Sequence, residues 1–317
     1  MKHKFPSFYT RAVQKLLVLS LVFPLLVNAN DLLSCDNTNA VESFENRLVS
    51  LNPATRPQPK QPINRIAVFS YLDVEGRKYI DSGETLCDWK DKLGFKKCDL
   101  KLPFPRLRTL SIERIERREE QAVVVVGTYY LCSKCSHLHM MTATGFFINS
   151  DGALVTCRHV LANIMENGRG VVVMTRDGHV YPVEAVLASE PLNDVLVLKV
   201  KGKGFPALSL AKGAAIGESV YVMGHPAEYF YMFTTGIVNQ RYDQIRDGGL
   251  CRFIVVSADF AKGASGGPVC NKHGAVVGIV NNTESILWNS QGGQQNNLQM
   301  VIKNCTAVEA LKSIITQ

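Results

Sequence analysis

Short runs of apolar, mostly β-branched residues recur between residues 121 and 302, and turn-forming residues separate them. Runs of this length, bounded by Gly, Asn and Asp, predict β-strands. The first set comprises 122–130, 145–148, 153–156, 171–175, 180–187 and 195–200, and the second comprises 219–223, 233–238, 253–257, 268–270, 275–280 and 298–302. Hairpin turns are predicted at 149–152, 176–178 and 271–274. Two successive sets of about six short strands predict two packed antiparallel barrels.

The regions that flank the strands have a different pattern of residue types. Residues 307–315 have helical spacing, which predicts a C-terminal helix on the outside. Residues 30–118 are mixed: a short helix is predicted at 37–50, a proline-punctuated linker follows, and the charge-rich run 113–120 predicts a solvated connector. The predicted fold class is therefore all-β, with two six-stranded barrels in residues 119–317, a small mixed N-terminal segment in residues 30–118 and a C-terminal helix.

The N-terminus has the pattern of an export signal. Basic residues up to Lys15 precede an apolar run over 16–27, and Ala29 ends a plausible cleavage site. The run is too short for a bilayer span, which needs about 20 residues. We therefore predict a signal peptide over residues 1–29, a secreted or periplasmic location, and no stable membrane insertion after cleavage.

Composition and charge limit the classes of partner. The chain is 46% hydrophobic and 20% charged, which is typical of a globular protein with a real core. Its formal charge of +7 includes four positive charges in the predicted signal, Lys2, Lys4, Arg11 and Lys15, so +7 minus 4 leaves +3. That charge is too small to indicate nucleic acid or an acidic membrane surface.

Nine cysteines in an exported chain favour disulfides over metal or redox chemistry. We predict a local disulfide between Cys87 and Cys98, and Cys251 with Cys270 is a second candidate pair. The run 132–139 holds two Cys and two His, which are zinc-ligand types, but their spacing is tighter than in the usual zinc patterns. We therefore expect no metal and no cofactor, and we expect Cys157 to be buried in the core.

The clearest candidate chemistry lies in GASGGP, residues 263–268. A serine becomes a nucleophile when a base takes its proton and a tight turn exposes its hydroxyl, and flanking glycines allow that turn. The N–H groups of Gly263 and Ser265 could form an oxyanion hole. By itself this string is also compatible with a glycine-rich hairpin.

A histidine and an aspartate strengthen the catalytic interpretation. His159 ends a predicted strand–hairpin–strand unit, and Asp194 lies at the mouth of the apolar strand 195–200. An acid in that position can accept a hydrogen bond from the imidazole and fix its tautomer. The order His159, Asp194, Ser265 therefore predicts a nucleophilic triad.

Residues 143–281 resemble the trypsin-like peptidases, and in particular their bacterial HtrA-type branch. The matching blocks are TGFFI (144–148), TCRHV (156–160), NDVLVLK (193–199), YVMGHP (221–226), TGIV (235–238), GASGGP (263–268) and GAVVGIV (274–280). The resemblance implies a chymotrypsin-like fold with the active site between the barrels, His159 as base, Asp194 as its orienting partner and Ser265 as nucleophile. It also implies a protein or peptide substrate and makes an oligomer possible.

Several positions depart from the pattern of that branch. The residues after Val280 are too few for a PDZ module, and the N-terminal segment and the cysteines are not part of the pattern. Lys262 and Ala264 stand where the branch usually has proline and asparagine. Because Ala264 carries no charge, we expect no trypsin-style zymogen activation, and we expect the catalytic loop to be ordered by residues 30–118 or by self-association.

Specificity has two open interpretations. Asp259 lies six residues before Ser265, where the fold can place a side chain at the base of the substrate pocket. A carboxylate there would favour Lys or Arg. The HtrA-type branch instead prefers small aliphatic residues, and Lys262 could neutralise the aspartate, so small or aliphatic specificity is the favoured interpretation. Ile279, Val280 and Asn281 are further candidate substrate-binding residues.

Two other functions compete with a peptidase. An α/β-hydrolase shares the Gly-x-Ser-x-Gly string, but its triad follows the order Ser, Asp, His, and only His273 follows Ser265 here. A catalytically inactive binding protein could keep the same fold. The presence of all three triad residues and the oxyanion glycines favours an exported serine endopeptidase.

Overall fold

The computed structural model describes Arg56 and residues 62–162, 164–289 and 296–316. The predicted signal peptide and the predicted helix over 37–50 lie outside these residues. Residues 54–317 form one compact unit. Ahead of the barrels lie helix α1 (Arg65–Asp81), a 3₁₀ turn (Lys90–Lys92), strand β1 (Cys98–Asp99) and helix α2 (Ile112–Ala122).

The first barrel is closed by six antiparallel strands. They are β2 (Val123–Leu131), β3 (Leu138–Phe147), β4 (Ala153–Cys157), β5 (Gly168–Met174), β6 (Val180–Glu190) and β7 (Val195–Val200), paired in the order β2-β3-β4-β7-β6-β5. The short helix α3 (His159–Ala162) follows β4. Valine and leucine dominate the barrel interior because branched side chains pack well between pleated strands. Phe146 and Phe147 are fully buried in the same core.

The second barrel is a ring of six strands with one short addition. Its strands are β8 (Ser209–Leu210), β9 (Ser219–Gly224), β10 (Met232–Arg246), β11 (Gly249–Val256), β12 (Pro268–Asn271), β13 (Ala275–Asn289) and β14 (Asn296–Ala307). They pair in the order β12-β9-β10-β11-β14-β13, and the β12–β13 pairing closes the ring. Strand β8 adds to β13 in parallel. The predicted fold of two six-stranded barrels is confirmed.

The C-terminal helix is α4 (Val308–Ser313), with Val308 and Leu311 buried. The following strand β15 (Ile315–Thr316) pairs in parallel with β1, so Cys98 lies opposite Ile315. This two-stranded sheet joins the end of the chain to the segment that precedes the first barrel. The predicted C-terminal helix is confirmed, with bounds slightly inside the predicted ones.

Helix α1 packs against the first barrel. The side chain of Asn64 caps its start by accepting a hydrogen bond from the N–H of Ala67. Leu72 is fully buried, and its carbonyl accepts a 3.0 Å hydrogen bond from the hydroxyl of Tyr129 on β2. Gly76 lies so close to the Tyr129 ring that a Cβ there would clash with it. The helix is therefore docked by specific packing.

Trp89 anchors the segment between α1 and α2 in the core of the first barrel. It is 1% exposed, and its ring lies against Gly168, where an added Cβ would come within 2.2 Å of the indole. The indole N–H donates to the carbonyl of Leu161 in α3 at 3.2 Å. The carbonyl of Leu93 accepts from Nε of Arg158 at 2.8 Å. This segment therefore supports the short helix that begins at His159.

The prediction of a solvated connector over 113–120 was wrong, because these residues belong to α2. Ile115, Glu119 and Ala122 are buried on one face, at the spacing of a helix that packs against the protein. The charges lie mainly on the other faces, where Glu120 pairs with Nε of Arg176 at 2.8 Å. Because most residues of this run are charged, the buried face of the helix was not recognised in the sequence.

Neither predicted disulfide is present, since Cys87, Cys98, Cys251 and Cys270 are all free thiols. Cys251 lies in β11 and Cys270 in β12, and β9 and β10 separate these two strands in the sheet. Cys98 instead lies in β1, paired with β15. Cys132 is disulfide-bonded. Cys157 is fully buried, as expected. Among the described residues, no helix is both long and apolar enough to cross a membrane.

Replacing Trp89 with Ala should lower the free energy of unfolding by about 3–5 kcal/mol, because it leaves a large cavity in a close-packed core. Trp288 provides a matched control, since its side chain is 64% exposed on β13. Trp288→Ala should change the unfolding free energy by less than about 0.5 kcal/mol. Urea denaturation followed by circular dichroism measures both values, and equal effects would contradict the docking of this segment.

The buried carboxyl of Glu119 should make stability depend on pH. Burial, together with a smaller effect of the charge of Glu116, raises the pKa of the Glu119 carboxyl from the ordinary 4.5 to about 8. Between these pH values the folded state holds a proton that the unfolded state has lost, so stability falls as pH rises from about 4.5 to 8, by at most about 5 kcal/mol. Glu119→Gln should flatten this dependence in urea titrations, whereas the exposed control Glu113→Gln should retain it.

Candidate active site

A glycine-rich turn carries Ser265 to the start of β12. Gly263 and Gly266 have φ angles of +98° and +86°, a region that side chains with a Cβ adopt at a cost. The N–H of Ala264 donates to the carbonyl of Ala261 at 3.0 Å, and the N–H of Gly267 donates to that of Ala264 at 2.9 Å. These bonds wind the chain tightly on both sides of the serine.

Thr144 on β3 fixes the carbonyl side of this turn. Its hydroxyl donates to the carbonyl of Gly263 at 2.8 Å, and its N–H donates to the carbonyl of Ser265 at 3.1 Å. The N–H groups of Gly263 and Ser265 have no acceptor among the described residues. These two backbone N–H groups are therefore available to donate to another group. Sequence reasoning missed the anchoring role of Thr144.

An indirect link connects helix α1 with the loop before Ser265. The Arg65 guanidinium donates to the carbonyls of Ala227 and Glu228, at 2.5 and 3.0 Å. The N–H of Ala227 in turn donates to the carbonyl of Lys262 at 2.7 Å. The N-terminal segment thus contacts the turn at Ala227, which in turn binds Lys262 in the loop that leads to Ser265, and no motif in the sequence signals this indirect link.

His159 and Asp194 meet because β4 and β7 are neighbours. Cys157 at the end of β4 lies opposite Val195 at the start of β7, so the residues that flank these ends are adjacent. Nδ1 of His159 lies 2.6 Å from Oδ2 of Asp194, and the N–H of His159 donates to Oδ1 at 2.8 Å. The carboxylate therefore fixes both the ring and the backbone of the histidine.

Asn281 connects this pair to the serine. It lies at a bulge of β13, between the residues that pair with β14 on either side. Its side-chain amide donates to Oδ2 of Asp194 at 3.2 Å and to the hydroxyl of Thr306 at 3.0 Å. Its carbonyl accepts a 3.2 Å hydrogen bond from the hydroxyl of Ser265. All three predicted triad residues therefore belong to one cluster, which also contains Thr306, a residue that sequence reasoning missed.

The cluster is accessible to solvent and includes an available base. The side chain of His159 is 35% exposed, and Nε2 has no hydrogen-bond partner among the described residues. The hydroxyl of Ser265 donates to the carbonyl of Asn281 and not to the imidazole of His159. The arrangement can thus support nucleophilic attack on a carbonyl carbon.

Residues 143–279 match the family described as a trypsin-like peptidase domain. The chain contains a trypsin-like peptidase domain. The predicted resemblance is confirmed, and the match covers blocks on both barrels together with His159, Asp194 and Ser265.

The curated relatives of this peptidase domain include DegP-like proteins. A probable periplasmic serine endoprotease DegP-like from Ectopseudomonas mendocina is 33% identical over 43% of this chain and 28% of its own length. One from Hahella chejuensis is 31% identical over 48% of this chain and 31% of its own length. The chain thus spans less than a third of the length of these curated relatives.

Solved structures support the same fold. The HtrA-type protease AlgW with a decapeptide superposes with a TM-score of 0.51 at 23% identity, over 64% of this chain and 65% of that chain. AlgW with a tripeptide gives 0.50 at 22% identity, over 64% and 62%.

The candidate specificity residues of the peptidase domain differ in their surroundings. Asp259 is 82% exposed, and its carboxylate lies 3.4 Å from Nζ of Lys303. An exposed, compensated carboxylate lacks the buried negative charge that would select Lys or Arg, so this placement does not favour the pocket-base interpretation. Ile279 and Val280 are buried, and the side chain of Asn281 is engaged with Asp194.

Among the described residues, two groups of side chains have the composition of metal ligands. In one, Sγ of Cys135 lies 3.0 Å from Nε2 of His139, but the nearby Cys132 is disulfide-bonded and therefore cannot be a thiolate ligand. In the other, Cys157 lies beside His159 and Asp194. Burial raises the pKa of the Cys157 thiol well above its ordinary value, which disfavours the thiolate that a metal requires.

Gly266→Ala should destabilise the peptidase domain more than the same substitution does at a matched glycine. A Cβ at Gly266 would lie 2.3 Å from the carbonyl oxygen of Thr144 and from the hydroxyl of Thr156. Gly217 has a similar φ of +82° but open space around it, so Gly217→Ala should cost only about 1–2 kcal/mol for the left-handed backbone. Thermal unfolding compares the two variants, and equal losses would contradict the close packing of the serine turn.

Proposed function

We propose that this chain is an exported serine endopeptidase that hydrolyses peptide bonds through a covalent acyl-enzyme. Ser265 is the nucleophile, His159 is the general base and then the general acid, and Asp194 orients the imidazole. The observation that carries the proposal is the hydrogen-bonded cluster in which the Asp194 carboxylate binds Nδ1 of His159 at 2.6 Å and Asn281 contacts both Asp194 and Ser265.

The reaction follows from the chemistry of these groups. The Ser265 hydroxyl turns from the carbonyl of Asn281 toward Nε2 of His159, and its oxygen attacks the scissile carbonyl carbon while its proton moves to Nε2. The N–H groups of Gly263 and Ser265 stabilise the resulting oxyanion. The imidazolium then protonates the leaving nitrogen, and the C–N bond breaks. Water, deprotonated by the same histidine, hydrolyses the acyl-enzyme and regenerates the serine.

The proposed substrates and location rest on the resemblance to HtrA-type proteins. The DegP-like relatives are named as periplasmic endoproteases, and AlgW was solved with peptides. Together with the predicted signal peptide over residues 1–29, these names support a secreted or periplasmic enzyme that acts on proteins or peptides. We propose cleavage after small or aliphatic residues, since Asp259 is exposed and paired. Self-association is compatible with this proposal.

A catalytically inactive binding protein is the second candidate. The observation that favours it is the hydrogen bond from the Ser265 hydroxyl to the carbonyl of Asn281, which leaves the serine proton away from the histidine. A fluorophosphonate probe separates the two functions because it bonds covalently only to an activated serine. Labelling at Ser265 supports the peptidase, and absence of labelling on folded protein supports the binding protein.

Substitutions within the triad should abolish hydrolysis while leaving the fold intact. Ser265→Ala removes the nucleophile and should eliminate both probe labelling and casein hydrolysis. Asp194→Asn should lower kcat by about 10⁴ because an amide favours the wrong histidine tautomer. Asp243→Asn, on the exposed part of β10, is the matched control and should retain wild-type turnover. Near-normal hydrolysis by either triad variant would overturn the assignment.

A further inference from the structure

Four arginines line one cavity outside the peptidase site. The cavity has a volume of about 500 Å³ and lies between α2, the segment before it and the loop from β7 to β8. Its arginines are Arg106, Arg114, Arg117 and Arg118, and no acidic residue lines it among the described residues. This volume is within the range typical of small-molecule sites.

Three of these charges lie close together because of their spacing on helix α2. Arg114, Arg117 and Arg118 stand at positions i, i+3 and i+4 of α2, so they share one face. Arg106 approaches from the preceding segment, which is held by a 2.9 Å hydrogen bond from the N–H of Leu110 to the carbonyl of Lys272. Like charges at this spacing repel one another and destabilise the helix unless an anion compensates them.

None of the four guanidinium groups has a hydrogen bond or an ion pair among the described residues. Nη1 of Arg118 is buried and has no partner, which is unusual for a charged group. Burial lowers the pKa of Arg118, and the positive charge of Arg106 lowers it further. By contrast, Arg176, in the turn between β5 and β6, is paired with Glu120 of α2.

The acidic residues of α2 do not neutralise the positive charge of the four arginines in the cavity. Hydrogen bonding to Ser111 lowers the pKa of Glu113 and burial raises the pKa of Glu116; Arg117 is near both carboxyls, but neither of them lines the cavity. The cavity therefore presents an excess of positive charge with at least one donor already removed from water. An unpaired buried donor of this kind is stabilised when an acceptor occupies the space in front of it.

We propose that this cavity binds a small, multivalent, phosphate-bearing anion. Guanidinium groups match the geometry of phosphate oxygens and donate to them in pairs. A phosphate group carries close to two negative charges near pH 7, so a short phosphate chain balances four arginines where a single carboxylate does not. The site shares no residue with the triad cluster, so the proposal does not depend on the proposed peptidase activity.

Calorimetric titration of the full chain with inorganic tripolyphosphate tests the proposal, with sodium chloride used to hold the ionic strength constant. We expect one saturable site per chain and a higher melting temperature in the bound state. Arg118→Gln should weaken binding by about tenfold or more, since it removes the buried donor. Arg108→Gln is the matched control, because Arg108 is exposed on the same segment and does not line the cavity, and it should bind within about twofold of wild type.

Citrate separates phosphate recognition from general attraction of anions. It carries a comparable negative charge on carboxylates, and it should bind more weakly than tripolyphosphate. Equal affinity for both anions, the absence of saturable binding, or unchanged binding in Arg118→Gln would each overturn the proposal. Without anion, Arg118→Gln should be at least as stable as wild type, because it removes a repelled charge. If that variant does not fold, Arg114→Gln, at an exposed position, provides the same measurement.

Discussion

The carboxylate of Asp194 is the group on which the arrangement of the candidate site depends. One oxygen accepts from the backbone N–H of His159, while the other contacts the imidazole and the side chain of Asn281. Through these bonds Asp194 holds His159 of the first barrel in place and also contacts β13 of the second barrel. Asp194 adopts a positive φ of 57°, a conformation that aspartate tolerates better than most residues. Such a position is kept when the surrounding contacts determine it.

The second barrel contributes more than the serine. Strand β13 bulges at Asn281, and this irregularity places a side-chain amide and a main-chain carbonyl of one residue between Asp194 and Ser265. Thr306 on the neighbouring strand completes the network, since its hydroxyl accepts from Asn281 and donates to the carbonyl of Asn193. Each of these hydrogen bonds restricts the rotation of a group at the site. Residues of both barrels therefore fix the geometry of the site together.

The N-terminal segment is structurally part of this arrangement. Trp89 and Leu93 bind the backbone and the flanking arginine of the helix that begins at His159, and Arg65 binds the turn that contacts Lys262. The segment thus contacts the supports of both the base and the nucleophile. The same segment builds the arginine-lined cavity, which is held against the second barrel by Leu110.

Local sequence predicted the strands, their grouping into two sets and the three residues of the candidate triad. Short runs of β-branched residues and glycine-rich turns are formed by a few consecutive residues, so they can be recognised without tertiary contacts. The resemblance placed His159, Asp194 and Ser265 in order along the chain. The tertiary structure decided what depends on distant partners: the free thiols of Cys251 and Cys270, the exposure of Asp259, the bridging role of Asn281 and the helix α2. Burial and pairing between residues far apart in the chain follow from strand order and packing, which no local pattern specifies.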